Sequence, residues 1–328
     1  AYVLMLKQAQ ISIPKKRIYV YNYLLFFPQL IAGPIVRPTE LLDQLTKGLI
    51  INRENLIAGL CLFSIGFIKK IFVADTIAEI VDPVYLDIGQ ASFNQVLHAF
   101  LLFPMQIYFD FSGYTDMALG LAIIVGITIP ENFNSPYISK SISDFWQRWH
   151  MTLSRFIRDY IYIPLGGSRK GPSRTIVNII LAMSISGLWH GANFNFIIWG
   201  FLNGCFMTLE RLLKLDQIIK NTVFLIVLNN FILFNLWTFF RAQSSMEAIV
   251  LLGKLYSGGL IIDAFTVGVV VFVAVILLLH KFDTVSYWRK LSSTVPPSVL
   301  YPISVAIPFI ENDLNFLSFF NLFKTYSI

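Results

Sequence analysis

His190 stands in the run Gly187-Leu-Trp-His-Gly-Ala-Asn193, at the end of an apolar stretch. An imidazole at membrane depth is costly to place, so it marks a functional position by default, and the chemistry it offers is proton transfer. Gly187 and Gly191 flank it and remove bulk, which would let a substrate chain approach. The rival reading is a Gly-xxx-Gly helix crossing with a histidine bonded across it. His150 closes Phe145-Trp-Gln-Arg-Trp-His150 and falls at the edge of an apolar helix face, where an interfacial ring satisfied by headgroups is the alternative to catalysis. Asp110 and Asp116 lie in Gln106-Ile-Tyr-Phe-Asp-Phe-Ser-Gly-Tyr-Thr-Asp116. Gln106, Asp110 and Tyr114 share one face of a continuous helix. Acids at depth either line a wet cavity or pair within a structural network.

Ser168, Arg169 and Lys170 follow Gly166-Gly167, and exposed backbone N–H groups beside cations suggest a phosphate cradle. The Gly-x-x-x-x-Gly-Lys-[Ser/Thr] phosphate loop is missing, and a plain basic loop is the alternative. No Gly-x-Ser-x-Gly elbow supports a serine hydrolase. Cys61 and Cys205 are isolated, so no disulfide framework or zinc site follows, and no metal site is expected. His98 and His280 lie near segment ends and read as structural or interfacial.

The elements that must hold these residues are apolar segments near the ~20 residues a bilayer core requires. They fall at 18–36 (broken by Pro28, Gly33 and Pro34), 55–81, 92–111, 112–129, 176–190, 194–213, 222–240 and 264–280, with weaker ones at 246–262 and 299–310. Lys69-Lys70 inside 55–81 should sit at an interface or snorkel to it. The stretch 130–175 differs. It opens with the turn-rich Pro130-Glu-Asn-Phe-Asn-Ser-Pro136. Residues 141–160 then read as one amphipathic helix, with Phe145, Trp149, Leu153, Phe156 and Tyr160 on one face and Arg148, Arg155 and Arg158 on the other. Such a helix lies in the membrane interface. Seven Lys or Arg fall between Lys140 and Arg174, which places the region on the cytoplasmic side.

Composition agrees. Of 328 residues, 56% are hydrophobic and 13% charged, and the mean hydropathy is +0.66. A soluble domain carries about 25% charged residues, so soluble enzymes, nucleic-acid modules, secreted disulfide scaffolds and disordered chains are all disfavoured. The net charge of +6 points to anionic membrane lipids or phosphorylated cytoplasmic donors. The expected fold is all-α: a polytopic transmembrane helical bundle with re-entrant or interfacial helices around a central funnel, forming one domain over 1–328. The opening Ala1-Tyr2-Val3, without an initiator Met, reads as a piece of a longer protein.

The ordered motifs Phe27-Pro-Gln-Leu-Ile-Ala-Gly-Pro34, Asp110–Asp116, Pro130–Asn134, Phe145–His150, Arg158-Asp-Tyr-Ile-Tyr-Ile-Pro-Leu-Gly-Gly167 and Leu188–Ala192 together resemble the membrane-bound O-acyltransferase family over about residues 20–215. They lie closest to its bacterial branch of alginate O-acetyltransferase membrane subunits, with teichoic-acid D-alanyl transfer proteins more distant. Members of that branch carry further spans before the Phe-Pro-Gln-Leu segment, and Arg155 departs from its pattern. The resemblance implies that His190 serves acyl transfer and that His150 is the second motif histidine. A neutral imidazole with a pKa near ~6.5 would take the proton of an attacking hydroxyl. Asn193, or an N–H near Gly191, would face the developing oxyanion.

The resemblance further implies an acetyl-CoA or other acyl thioester donor, with no resident cofactor. It implies a cell-surface polysaccharide acceptor, an extracytoplasmic acetyltransferase partner and a bacterial inner-membrane location. Arg148, Arg155, Arg158, Arg169 and Lys170 should form the donor's basic mouth. Gly187 and Gly191 should make room for a channel to His190, with 27–38 and 130–136 lining it. D-alanyl transfer to teichoic acid is the rival within the class; a membrane transporter and an inactive scaffold fragment are rivals outside it. Paired broken helices with repeat symmetry, as in many transporters, are not found.

Overall fold

The computed structural model describes residues 17–29, 33–259 and 261–294. The expected segment at 299–310 and the start of the chain lie outside these residues, as does part of 18–36. Among the described residues the fold is all-α. The helices are α1 (Arg17–Leu24), α2 (Pro38–Lys47), α3 (Arg53–Phe67), α4 (Asp75–Leu86), α5 (Phe93–Ile124), α6 (Ile142–Trp146) and α7 (Met151–Ile157). They continue as α8 (Pro172–His190), α9 (Phe194–Leu213), α10 (Thr222–Arg241), α11 (Ser245–Ser257), α12 (Ala264–Leu279) and α13 (Val285–Thr294). A π-helical stretch at Ile68–Ala74 fuses α3 to α4, and another at Arg158–Tyr162 extends α7. Among the described residues four stretches are long and apolar enough to cross a membrane: Arg53–Leu86, Phe194–Leu213, Thr222–Arg241 and Ala264–Phe282.

The two spans expected at 92–111 and 112–129 are a single 32-residue helix, α5. At 1.5 Å per residue it runs ~48 Å. Its start is fixed by reciprocal capping. The Gln95 N–H donates to Ser92 Oγ, and the Ser92 N–H donates to Gln95 Oε1 at 2.8 Å. Pro104 lies inside it without breaking it; its ring removes the N–H that would donate to Phe100 O, and Tyr137 Oη adds a hydrogen bond to Pro104 O at 2.6 Å. Glycines let α3 and α5 touch backbone to backbone. A Cβ on Gly66 would lie 2.4 Å from Gly113 O, and one on Gly59 would lie 2.6 Å from Gly120 O.

Lys69 and Lys70 are buried rather than interfacial. Each bridges two carboxylates. Lys69 Nζ meets Asp116 at 2.7 Å and Asp283 at 2.5 Å, and Lys70 Nζ meets Asp75 and Asp110 at 2.7 Å each. Asp283, at the turn between α12 and α13, also accepts from Tyr108 Oη (2.7 Å) and Trp288 Nε1 (2.9 Å). A buried ammonium is tolerable when paired and hydrogen-bonded in this way, so it has no need to snorkel.

The amphipathic helix expected over 141–160 is broken in two at His150. The main aromatic core, built around Tyr108, Tyr137, Phe145, Trp149 and Trp237, packs on α5, α10 and this break.

Candidate functional site

His150 adopts a left-handed backbone, φ 40° and ψ 53°. That region costs a non-glycine residue ~1–3 kcal/mol and persists only where the surroundings over-determine it. The 130–136 loop supplies the constraint. The Asn134 N–H donates to Arg148 O at 2.9 Å, and the Met151 N–H donates to Asn132 O at 3.0 Å. Asn132 Oδ1 accepts from the Thr152 hydroxyl at 2.7 Å, and Thr152 Oγ1 accepts from the Ile35 N–H at 2.9 Å. The Pro-Glu-Asn-Phe-Asn motif is therefore a clamp on the histidine turn, a role its turn chemistry alone did not reveal. Phe133 completes it by packing edge-on against Trp149, ring centroids 5.0 Å apart.

The clamp sends the His150 ring inward against Phe111, centroids 4.7 Å apart. Burial pushes its pKa well below the ordinary histidine value, and charge on His190 pushes the same way. The imidazole is neutral at pH 7.

His190 is the last residue of α8, buried at 7% exposure. Its ring sits among Trp189, Phe196, Trp199 and Phe240, with centroids 5.3–6.3 Å away. Neither ring nitrogen has a hydrogen-bond partner. Trp189 touches both histidines, its ring centroid 6.2 Å from that of His150 and 5.3 Å from that of His190.

A cavity of about 870 Å³ lies between α8, α9 and α10 and is closed on one side by α6 and α7. Its basic members are Lys140, Arg155, Arg158 and Arg211. Along α8 it follows Ile179, Ala182, Met183 and Ser186. His190 continues that stripe one turn on, ~6 Å along the axis. The same order holds on the partner helices. On α9 the cavity takes Met207, Glu210 and Arg211, and the histidine cage takes Phe196 and Trp199. On α10 the cavity takes Leu225, Leu228, Asn229 and Ile232, and the cage takes Phe240. Cavity and cage are successive storeys of one three-helix shaft. Glu210 fixes the upper storey by accepting the Ile142 N–H at 2.8 Å.

The cavity stops one turn short of His190, and neither Arg148 nor the 164–172 loop lines it, so the expected opening from that loop to His190 is not seen. Gly187 and Gly191 do not open a channel. A Cβ on Gly187 would lie 2.1 Å from Phe196 O, and one on Gly191 would lie 2.8 Å from the Phe196 ring. Gly187 is a helix-crossing glycine, and α9 fills its space.

The expected basic mouth is also redrawn. Arg155 and Arg158 line the cavity; Arg148, Arg169 and Lys170 do not. Arg148 pairs with Asp144 at 2.7 Å. Arg155 pairs with Glu40 through Nη1 at 2.8 Å, leaving Nη2 buried without a partner. Arg158 and Arg37 both pair with Asp159. Burial opposes the Asp159 charge, but the hydrogen bonds from these guanidinium groups hold its carboxyl below the usual range.

In the glycine loop, expected as a phosphate cradle, several N–H groups are already taken up internally. The N–H groups of Gly166, Gly167 and Arg169 donate to Ile163 O, Tyr162 O and Gly166 O. Asp110 and Asp116 are held by Lys70 and Lys69, away from the cavity lining. Asn193 caps α9 through Oδ1 (3.0 Å to the Asn195 N–H), and its Nδ2 donates to Gln243 O at 2.9 Å. Its amide therefore anchors a helix end rather than facing an oxyanion. Among the described residues no group of three or more His, Cys, Asp or Glu is arranged to hold a metal.

The profile of the membrane-bound O-acyltransferase family matches residues 5–246. The probable alginate O-acetylase AlgI of Pseudomonas putida is 41% identical over 249 residues, covering 72% of this chain and 49% of the relative. The peptidoglycan O-acetyltransferase of Helicobacter pylori is 43% identical over 235 residues (69% and 44%). The teichoic acid D-alanyltransferase of Bacillus subtilis is 33% identical over 198 residues (57% and 49%). The chain spans about half the length of the curated relatives it matches.

Proposed function

This chain belongs to the membrane-bound O-acyltransferase family, and from that premise we propose that it carries the catalytic region of an enzyme moving an acetyl group from a thioester donor to a hydroxyl of a cell-surface polysaccharide. The carrying observation is His190, a buried imidazole with both nitrogens unpartnered, on the helix stripe that lines the cavity. A buried polar atom without a partner costs ~1–3 kcal/mol. A substrate hydroxyl that satisfies it explains why the cost is kept.

In this reading the donor, acetyl-CoA or another acyl thioester, is a substrate. Its charged end rests on Lys140, Arg155, Arg158 and Arg211, and its acyl end points down the shaft. The acceptor hydroxyl arrives from the other side. His190 takes its proton as oxygen bonds to the carbonyl carbon; the carbon–sulfur bond breaks, and the imidazolium returns the proton to the thiolate. The aromatic cage excludes the water that would otherwise hydrolyse the donor. His150, neutral and rigidly placed, positions the donor.

The 130–175 region faces the cytoplasm, so that the donor enters there. The protein sits in the bacterial inner membrane, and an extracytoplasmic acetyltransferase partner completes the transfer to the polysaccharide. Acetyl transfer is preferred over D-alanyl transfer because relatives named for O-acetylation are 39–43% identical against 29–33% for the D-alanyltransferases.

The test supplies membrane vesicles containing the protein with labelled acetyl-CoA, or with a labelled D-alanyl thioester, and follows label into polymer. Acetyl label in ester linkage supports the proposal. D-alanyl label alone transfers the reading to the rival, and label in neither case removes it. Topology is checked separately with Ser168→Cys, which should resist an impermeant thiol reagent applied outside intact cells.

A further inference from the structure

The cavity and the His190 cage share α8, α9 and α10, and the four aromatic walls of the cage are not among the cavity-lining residues. One aromatic side chain touches both storeys. Trp146 lines the cavity, and its ring meets Trp199 edge-on with centroids 5.6 Å apart. Trp199 in turn lies against His190 at 5.4 Å. The Trp146 indole is fastened: its Nε1–H donates to Asn203 Oδ1 at 3.1 Å. Asn203 is itself fixed by Nδ2 donating to Trp199 O at 2.9 Å, and is 1% exposed. One buried amide thus holds both the indole at the cavity floor and the helix turn that carries the cage wall. The helix bearing Trp146 is the five-residue α6. It ends four residues before the strained His150 and is tied at its start to Glu210. A short helix between two anchors can swing its last side chain without dismantling a transmembrane helix.

We propose that Trp146, latched by Asn203, is the gate that separates the donor cavity from His190. It is a positioning residue and not a catalytic one. Opening needs one Nε1–H···O hydrogen bond to break and one indole to leave the floor, which joins the cavity to the cage through Ser186. What passes the gate rests on the acyl-transfer reading above; the gate itself does not, so its test uses no turnover.

With Cys61 and Cys205 replaced by Ala, single cysteines are placed at Ser186, at His190 and, as a core control, at Ala122 (0% exposed, on α5). Each is made with Trp146 intact, with Trp146→Ala and with Trp146→Phe. A water-soluble maleimide is the probe. With Trp146 intact, Ser186→Cys should react and His190→Cys should react at least about tenfold more slowly, because only the open fraction is reactive. Trp146→Ala should remove most of that difference while Ala122→Cys stays protected. Trp146→Phe keeps a ring but loses the donor N–H, and should give a smaller increase. Equal His190→Cys rates with and without the indole would overturn the gate. So would protection of Ser186→Cys, or a parallel rise at Ala122→Cys, which would make Trp146 a packing residue only. Loss of acetyl transfer in the enzyme assay with these labelling results intact would remove the acyl-transfer reading and leave the gate standing.

Discussion

Replacing Gly187 by Ala separates two opposite readings of the glycines beside His190. A Cβ there would lie 2.1 Å from Phe196 O, 2.9 Å from Phe196 C and 3.3 Å from Gly200 Cα. The first distance is at least ~1 Å short of ordinary contact. The obstacle is helix backbone, so α8 and α9 must part by roughly that amount. Overpacking of this kind costs about 1–3 kcal/mol. The displaced helix carries Phe196 and Trp199, two walls of the His190 cage, and misplacement by ~1 Å at a reacting centre can cost about a hundredfold in rate. Gly253→Ala on α11 is the control, since a Cβ there meets nothing within 4 Å. It should be neutral or stabilising by up to ~1 kcal/mol. Acetyl transfer and thermal unfolding in detergent are measured together. The account expects Gly187→Ala to lose both activity and stability. A variant of normal stability that only binds donor more weakly would mean Gly187 lines an open channel, and the helix-crossing argument would fail.

Lys69→Met removes the cation between Asp116 and Asp283 and should cost about 3–5 kcal/mol; an unchanged unfolding midpoint would show the network to be ornamental. Asn132→Ala deletes the acceptor for Thr152 and should cost about 1–3 kcal/mol while lowering activity through the His150 turn, measured as unfolding midpoint beside initial rate. His150 is held neutral by burial, so below its unfolded pKa of ~6.5 the unfolded chain binds the extra proton. Stability should fall with pH there by up to ~1.4 kcal/mol per unit. His150→Gln should abolish that part of the slope, and an identical slope in the variant would show the ring is charged when folded.

Most helix positions were legible because hydropathy is a local property. Contacts between distant segments were not. Nothing near Lys69 announces Asp283, 214 positions later, so the pair of lysines reads as an interface when it is a buried junction. Asp110 and Asp116 looked available because their cations lie on another helix. The break at His150 was hidden by a sound amphipathic pattern, since a left-handed residue held by Asn132 leaves no periodicity signature. Trp146, Asn203 and Ser186 were missed because each is unremarkable alone; only the packing of α6 on α9 joins Trp146 to Asn203, and only the cavity brings Trp146 and Ser186 together. The signal in reach was the run Met183, Ser186, His190, one face of one helix.

The central claim is that His190 carries the proton in acyl transfer. Transfer of labelled acetyl from a thioester donor should be measured in membranes holding equal amounts of wild type, His190→Ala and His150→Ala. The account predicts that His190→Ala inserts normally and transfers no label above background, while His150→Ala retains a measurable rate. Near wild-type transfer by His190→Ala would contradict it.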